Sequence, residues 1–177
     1  MNSMIEAGIF LVNTLFTLYL TILGVRLILA WERANYFNPI IRFVITLTQP
    51  LIAPVRRILP NIGKLETATL FWLIILEIVK YILILAIMGQ QQIDFMVLPL
   101  SALLAVIILL IQIFFYSILI FAVLSWIHSP ATPIMQVLAQ LSAPVLRPLQ
   151  KIIPMVSGFD ITPLVALILL QVLLILL

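Results

Sequence analysis

The sequence has no cysteine, so disulfides, thiolate metal sites and thiol relays are excluded by count. Histidine is nearly absent: His128 stands alone, and six scattered carboxylates complete no ligand cluster at zinc spacing. No metal site and no cofactor is expected. The five glycines form neither a G-x-G-x-x-G run nor a P-loop, which removes the common nucleotide cradles. Charge is the scarcest property of all. Only 8% of residues are charged, against about 25% in soluble domains, too few to cover a water-facing surface.

What is present is apolar. Of the 177 residues 65% are hydrophobic, with a mean hydropathy of +1.34. Crossing a bilayer takes about 20 mostly apolar helical residues, and four stretches qualify: Ile9 to Trp31, Thr67 to Met88, Leu98 to Trp126 and Ile161 to Leu177. Thr162-Pro163 reads as a helix start for the last. The leading stretch lacks a basic flank and is too long for a removable signal, so it is expected to stay.

Basic residues mark the side that stays in the cytoplasm. The connector from Glu32 to Glu66 holds Arg33, Arg42, Arg56, Arg57 and Lys64, and that from Ile127 to Ile161 holds Arg147 and Lys151. The connector from Gly89 to Val97 carries only Asp94. Both basic connectors are therefore expected in the cytoplasm and both termini outside. The net charge of +3 is not gathered into a tract with interleaved aromatics, which points away from nucleic acid and toward anionic head groups.

The chain also looks doubled. At an offset of 94, Pro39 falls on Pro133, Pro50 on Pro144, Pro54 on Pro148 and Pro60 on Pro154. Arg57 falls on Lys151 and Glu66 on Asp160, while Arg42, Thr46 and Gln49 fall on Gln136, Gln140 and Ala143. Each copy reads helix, basic connector, helix, so both enter the membrane in the same sense as parallel repeats. The expected halves are 1–95, with its connector element at 38–60, and 96–177, with its counterpart at 132–154.

Asn38-Pro39 and Thr132-Pro133 each read as an N-cap followed by a first-turn proline, opening a helix of about ten residues. Arg42, Thr46 and Gln49 form its polar stripe, with Gln136 and Gln140 on the second copy. Prolines at 50 and 54, and again at 144 and 148, are expected to break that helix and turn the chain. The expectation is a proline-framed amphipathic or re-entrant hairpin on the cytoplasmic side, present twice. Either it lies in the head-group region with Arg56, Arg57, Arg147 and Lys151 on anionic lipid or a partner, or the two hairpins line a polar vestibule.

The runs Thr48-Gln49-Pro50-Leu51-Ile52-Ala53-Pro54-Val55-Arg56-Arg57-Ile58-Leu59-Pro60 and Ala143-Pro144-Val145-Leu146-Arg147-Pro148-Leu149-Gln150-Lys151-Ile152-Ile153-Pro154 carry a resemblance, as does Gly158-Phe159-Asp160-Ile161-Thr162-Pro163. With this doubled proline frame the sequence resembles the YggT (YlmG) family of small bacterial and plastid membrane proteins over nearly its whole length. It departs in having Gly63-Lys64-Leu65-Glu66 where an Asp-Ser-Pro version is frequent, and Gln150 where a second arginine is usual. The resemblance implies the bacterial inner membrane, the two-repeat form, and an association with osmotic and ion homeostasis, envelope function or complex assembly. It supplies no catalytic residues.

Arg26, Glu77 and Lys80 are ionisable groups inside the expected spans, where an unpaired charge costs at least about 2.5–3.5 kcal/mol. Glu77 and Lys80, three apart, can pair on one helix face. Arg26 either snorkels to the interface or meets Glu77. The set is either a structural ion pair or, with Gln171 at the position matching Glu77, a proton or cation site. Ser125, His128 and Asp160 form no nucleophile elbow. The reading is thus an all-α, four-helix membrane protein that is not an enzyme: a scaffold or assembly factor with a membrane-protein partner or as a homo-oligomer. The alternative is a small monovalent cation or proton channel or transporter built on Arg26, Glu77, Lys80 and Gln171.

Overall fold

The computed structural model describes residues 3–89, 96–126, 132–153 and 160–177. Six helices account for most of them: α1 (Ser3–Trp31), α2 (Pro39–Arg56), α3 (Thr67–Ile87), α4 (Val97–Trp126), α5 (Pro133–Gln150) and α6 (Thr162–Leu176). Among the described residues there is no strand, only an isolated bridge between Ile62 and Leu65. Among the described residues three helices are long and apolar enough to cross a membrane: α1, α3 and α4 up to Ser125. The fourth apolar stretch yields a 15-residue helix. That is about 22 Å, short of a hydrocarbon core of about 30 Å.

Local chemistry sets the ends. Asn38 accepts the Ile40 N–H at 2.9 Å and Pro39 follows at the first helical position, so α2 starts there. Thr132 caps α5 in the same way, accepting from Met135 N at 3.4 Å. For α6 the capping oxygen belongs to Asp160, which accepts the Thr162 N–H at 2.9 Å; Thr162 is already helical. Helix α1 ends without glycine. Ala34 N–H reaches Leu29 O at 3.0 Å and Arg33 N–H reaches Ala30 O at 3.1 Å, a Schellman closure with Arg33 at φ 51° in the left-handed region.

The proline-framed hairpin does not form. Helix α2 runs 18 residues through Pro50 and Pro54, and α5 runs 18 through Pro144 and Pro148, where a ten-residue helix and a turn are expected from sequence. In α2 the reason lies in which face the prolines occupy. Thr46, Pro50 and Pro54 follow one another at a spacing of four, and all three are exposed. The carbonyls that lose their N–H partners therefore lie on the outward side, where they need no protein donor. Pro60 lies beyond α2, and its carbonyl accepts from Thr67 Oγ1 at 2.9 Å. Pro154 lies outside the described residues.

Helices α1 and α3 pack antiparallel along their length. At one end Gly8 lies beside Ile87; at the other Arg26 of α1 bonds Glu66 at the head of α3. Helix α2 buries Ile41, Val44, Thr48 and Ile52, a single helical stripe, against this pair. One core cluster joins Leu20, Leu23, Leu27, Ile41 and Leu73 with Val106 and Ile113 of α4. A second joins Ile111 and Ile118 of α4 with Leu146, Ala166 and Leu170. Outward faces stay apolar: Phe10, Leu11, Leu15 and Leu18 of α1 are all exposed. An apolar surface of that extent requires an apolar surrounding.

Candidate functional site

Arg26 sits on a helix of hydrophobic residues with only 5% of its surface exposed. Its guanidinium has five N–H donors, and each has an acceptor. Nε and Nη2 bond the two carboxylate oxygens of Glu66, both at 2.9 Å, in a two-pronged fork. Nη1 donates to Thr48 Oγ1 at 2.8 Å and to Ile45 O at 3.5 Å, and Nη2 also donates to Gln49 Oε1 at 3.2 Å. The Thr48 hydroxyl in turn donates to Val44 O at 2.7 Å. Glu66 additionally accepts from Thr69 Oγ1 at 2.6 Å, and Arg56 Nη1 lies 3.8 Å from its Oε1. Three helices thus meet on one ion pair.

Burial alone would raise the Glu66 carboxyl; the hydrogen bonds from Arg26 and Thr69 and the charges of Arg26 and Arg56 outweigh it and hold the group below its ordinary value of 4.5. The start of α3 adds to the same effect, because a helix N-terminus favours an anion. Asp160, the residue matching Glu66 at the offset of 94, is also held low. Its hydrogen bonds from Thr162 outweigh its slight burial, and Gln150 Nε2 adds another at 3.1 Å.

A cleft of about 330 Å³ opens beside this clamp. Its charged lining is Arg26, Arg33, Arg56, Lys64 and Glu66, joined by Gln49, Asn61 and Tyr36. Every lining residue falls within 26–66, so the cleft belongs to the first half of the chain and is not a vestibule between two hairpins. The halves do touch elsewhere. Asn38 Nδ2 donates to Pro133 O at 2.8 Å and to Gln136 Oε1 at 3.4 Å, and Arg147 Nη1 donates to Glu32 Oε2 at 2.8 Å.

A family profile described as CCB3/YggT matches residues 5–87 and 100–177. The chain belongs to the CCB3/YggT family. Relatives agree: it is 35% identical to the "Uncharacterized protein in proC 3'region" of Vibrio alginolyticus, over 97% of this chain and 91% of that one. It is 35% identical to the "Uncharacterized protein YggT" of Escherichia coli strain K12, over 92% and 85%, and 36% identical to the "Uncharacterized protein PA0392" of Pseudomonas aeruginosa, over 90% and 82%. No solved structure matches.

Within this YggT chain Arg26, Glu77, Lys80 and Gln171 do not form one site: Glu77 and Lys80 pair, and Arg26 and Gln171 stand away from them. Every donor of Arg26 goes to Glu66, Thr48, Gln49 or Ile45, and none to Glu77. Glu77, buried at the middle of α3, pairs with Lys80 on its own helix at 2.6 Å. Gln171 is exposed on α6. The polar stripe divides: Arg42 and Thr46 are exposed with Thr46 bonded back to Arg42 O, while Gln49 reaches Arg26. On α5, Gln136 meets Asn38, and Gln140 Oε1 is buried without a protein partner. Of the basic residues, Arg56 lines the cleft and Arg147 is held by Glu32, whereas Arg57 and Lys151 are exposed and form no ion pair among the described residues.

Glu66, Thr48 and Thr69 were not legible as a site. A signal existed. Arg26 lies five residues before the end of α1 and Glu66 one residue before α3, so in an antiparallel pair they occupy the same end.

Proposed function

We propose that this protein is a non-catalytic scaffold or assembly factor of the bacterial inner membrane, acting on envelope or on osmotic and ion homeostasis as the family resemblance implies. One observation carries the reading: the buried arginine of α1 has all five donors committed to groups that join α1, α2 and α3. A charge held so completely is placed to fix helix packing, not to load and release an ion.

In this reading α6 completes a fourth crossing with the help of a thinned bilayer or a neighbouring helix. The basic connectors face the cytoplasm and both termini the periplasm. The halves 1–95 and 96–177 are parallel repeats, supported by the bounds of α2 and α5, which coincide at the offset of 94. Helices α2 and α5 lie at the head-group level, where Arg56, Arg57, Arg147 and Lys151 meet anionic lipid or a membrane-protein partner. Gln112, exposed within α4, is a polar group that a second copy's helix would satisfy, which favours a homo-oligomer.

A second reading, a small cation or proton channel, is favoured by the buried Glu77–Lys80 pair at the centre of α3. Liposome flux separates the two. The scaffold reading expects no monovalent cation or proton flux from folded protein, and discrete in-membrane crosslinks from photoreactive residues on the outer faces of α2 and α5. Flux abolished by Glu77→Gln in a variant that still folds would replace the scaffold with the channel.

A further inference from the structure

The cleft beside the Arg26–Glu66 clamp holds more positive charge than the clamp uses. Arg26, Arg33, Arg56 and Lys64 line it against the single carboxylate of Glu66. Arg26 is consumed by that carboxylate and Arg56 stands 3.8 Å from it. Arg33 and Lys64 form no ion pair among the described residues, and both are exposed at the mouth. Like charges gathered without counter-charge repel one another, and an anion seated between them would relieve that repulsion.

Arg33 provides an independent sign. It occupies the position after α1 at which helices ordinarily place glycine, with φ 51°. An L side chain there costs about 1 kcal/mol relative to glycine. The conformation turns the chain back so that Arg33 and Arg26, on either side of the helix end, line the same cleft. The left-handed turn also belongs to the closure of α1, and non-glycine residues in such a conformation cluster at functional sites.

Leu29, Ile41, Val44 and Ile45 make an apolar part of the wall, beside the neutral polar groups of Gln49, Asn61 and Tyr36. A volume of about 330 Å³ lies at the lower end of the range for small-ligand cavities, about 300–1,000 Å³. A guanidinium and an ammonium beside an apolar wall suit a phosphoester carried on an apolar body. We infer that this cleft is a binding site for a phosphoester, with Arg33 and Lys64 as the groups that engage its phosphate oxygens. The chemistry is shared by the glycerophosphate head of an anionic lipid and by a soluble phosphoester. The site inference does not rest on the scaffold reading; only a lipid source requires the membrane.

The test uses the full-length protein in detergent, with retention followed by native mass spectrometry. The probes are phosphatidylglycerol, phosphatidylcholine and sn-glycerol 3-phosphate. Wild type should retain phosphatidylglycerol in preference to phosphatidylcholine, and Arg33→Ala with Lys64→Ala should weaken that retention about 30-fold, since each cation near an anionic surface is worth about a factor of five. Arg42→Ala, an equal loss of charge from an exposed residue that does not line the cleft, should not match either single change at Arg33 or Lys64. Arg33→Gly is the sharper variant: it relaxes the backbone, so it should raise the unfolding temperature while lowering retention. Retention of glycerol 3-phosphate with no preference for phosphatidylglycerol would assign the soluble source.

Equal retention by wild type and the double variant, for lipid and soluble ester alike, would overturn the site. So would equal retention of the two lipids with no binding of the soluble ester. Carbonate extraction of the wild-type protein from membranes is read separately, because its release there would remove the membrane reading and leave the cleft result standing.

Discussion

Arg26 and Glu66 are forty residues apart in sequence and share two hydrogen bonds of 2.9 Å at the place where α1, α2 and α3 converge. Removing one partner leaves the other charged and buried, which typically costs about 3–5 kcal/mol. Arg26→Ala and Glu66→Ala should each lower the unfolding temperature in detergent strongly. Arg26→Lys should retain the charge but lose the fork, so it should fall between wild type and alanine. Arg26→Leu and Glu66→Leu made singly should each be costly for the same reason, and the two together should be less damaging than either alone. A double variant whose loss equals the sum of the two single losses would mean that the two side chains are not coupled.

The same pair sets a pH dependence. Glu66 is held below its ordinary value of 4.5, so the folded state binds its proton less readily than the unfolded chain does. Its contribution to stability is therefore complete above that ordinary value and is lost as pH falls through the lower folded value. Unfolding temperatures measured from about pH 6 down to about pH 3 should decline, and Glu66→Gln should flatten the part of the decline that Glu66 supplies. An identical decline in that variant would assign the acid sensitivity to other carboxylates.

Close approach of α1 to α4 depends on Gly24. A Cβ there would meet Ile113 Cδ1 at 2.5 Å, with Leu110 and Leu109 side chains just beyond. The nearest atom is the far end of a flexible side chain, so Gly24→Ala should be tolerated with a small loss. Gly24→Leu overfills the contact and should cost about 1–3 kcal/mol. Ile113→Ala should recover part of that loss by opening the space, which a thermal melt of the double variant checks.

Much of the helical layout follows from composition and spacing. Because nothing but a helix satisfies the backbone of such a stretch in lipid, the long apolar runs locate α3 and α4 to within a residue, and also the end of α1, though α1 starts at Ser3 and not at the expected Ile9. The N-caps at Asn38 and Thr132 are equally local, each being a short polar side chain before a proline. The Arg26–Glu66 pair is different in kind. It depends on which helices stand side by side and at what depth, and Glu77, inside the same apolar spans as Arg26, was an apparent partner. Arg33 was readable only as a charge in a loop; its left-handed backbone arises from how α1 closes. The break expected at Pro50 failed for a related reason, since a proline's effect depends on the face it occupies.

That face makes the prolines testable. In α2 the N–H groups missing at Pro50 and Pro54 would point to the carbonyls of Thr46 and Pro50 on the exposed side. Alanine at both positions restores two donors in a helix that already runs through them, and proline is about 3 kcal/mol worse than alanine in a helix interior. The substitution should therefore raise thermal stability or leave it unchanged, by less than the full propensity difference because the outward carbonyls already have other surroundings. A nitroxide pair at exposed positions Arg42 and Arg57, flanking both prolines, should report a similar separation before and after the change, as a continuous helix requires. A large lengthening in the alanine variant would mean instead that the prolines hold a turn, and that α2 is two segments.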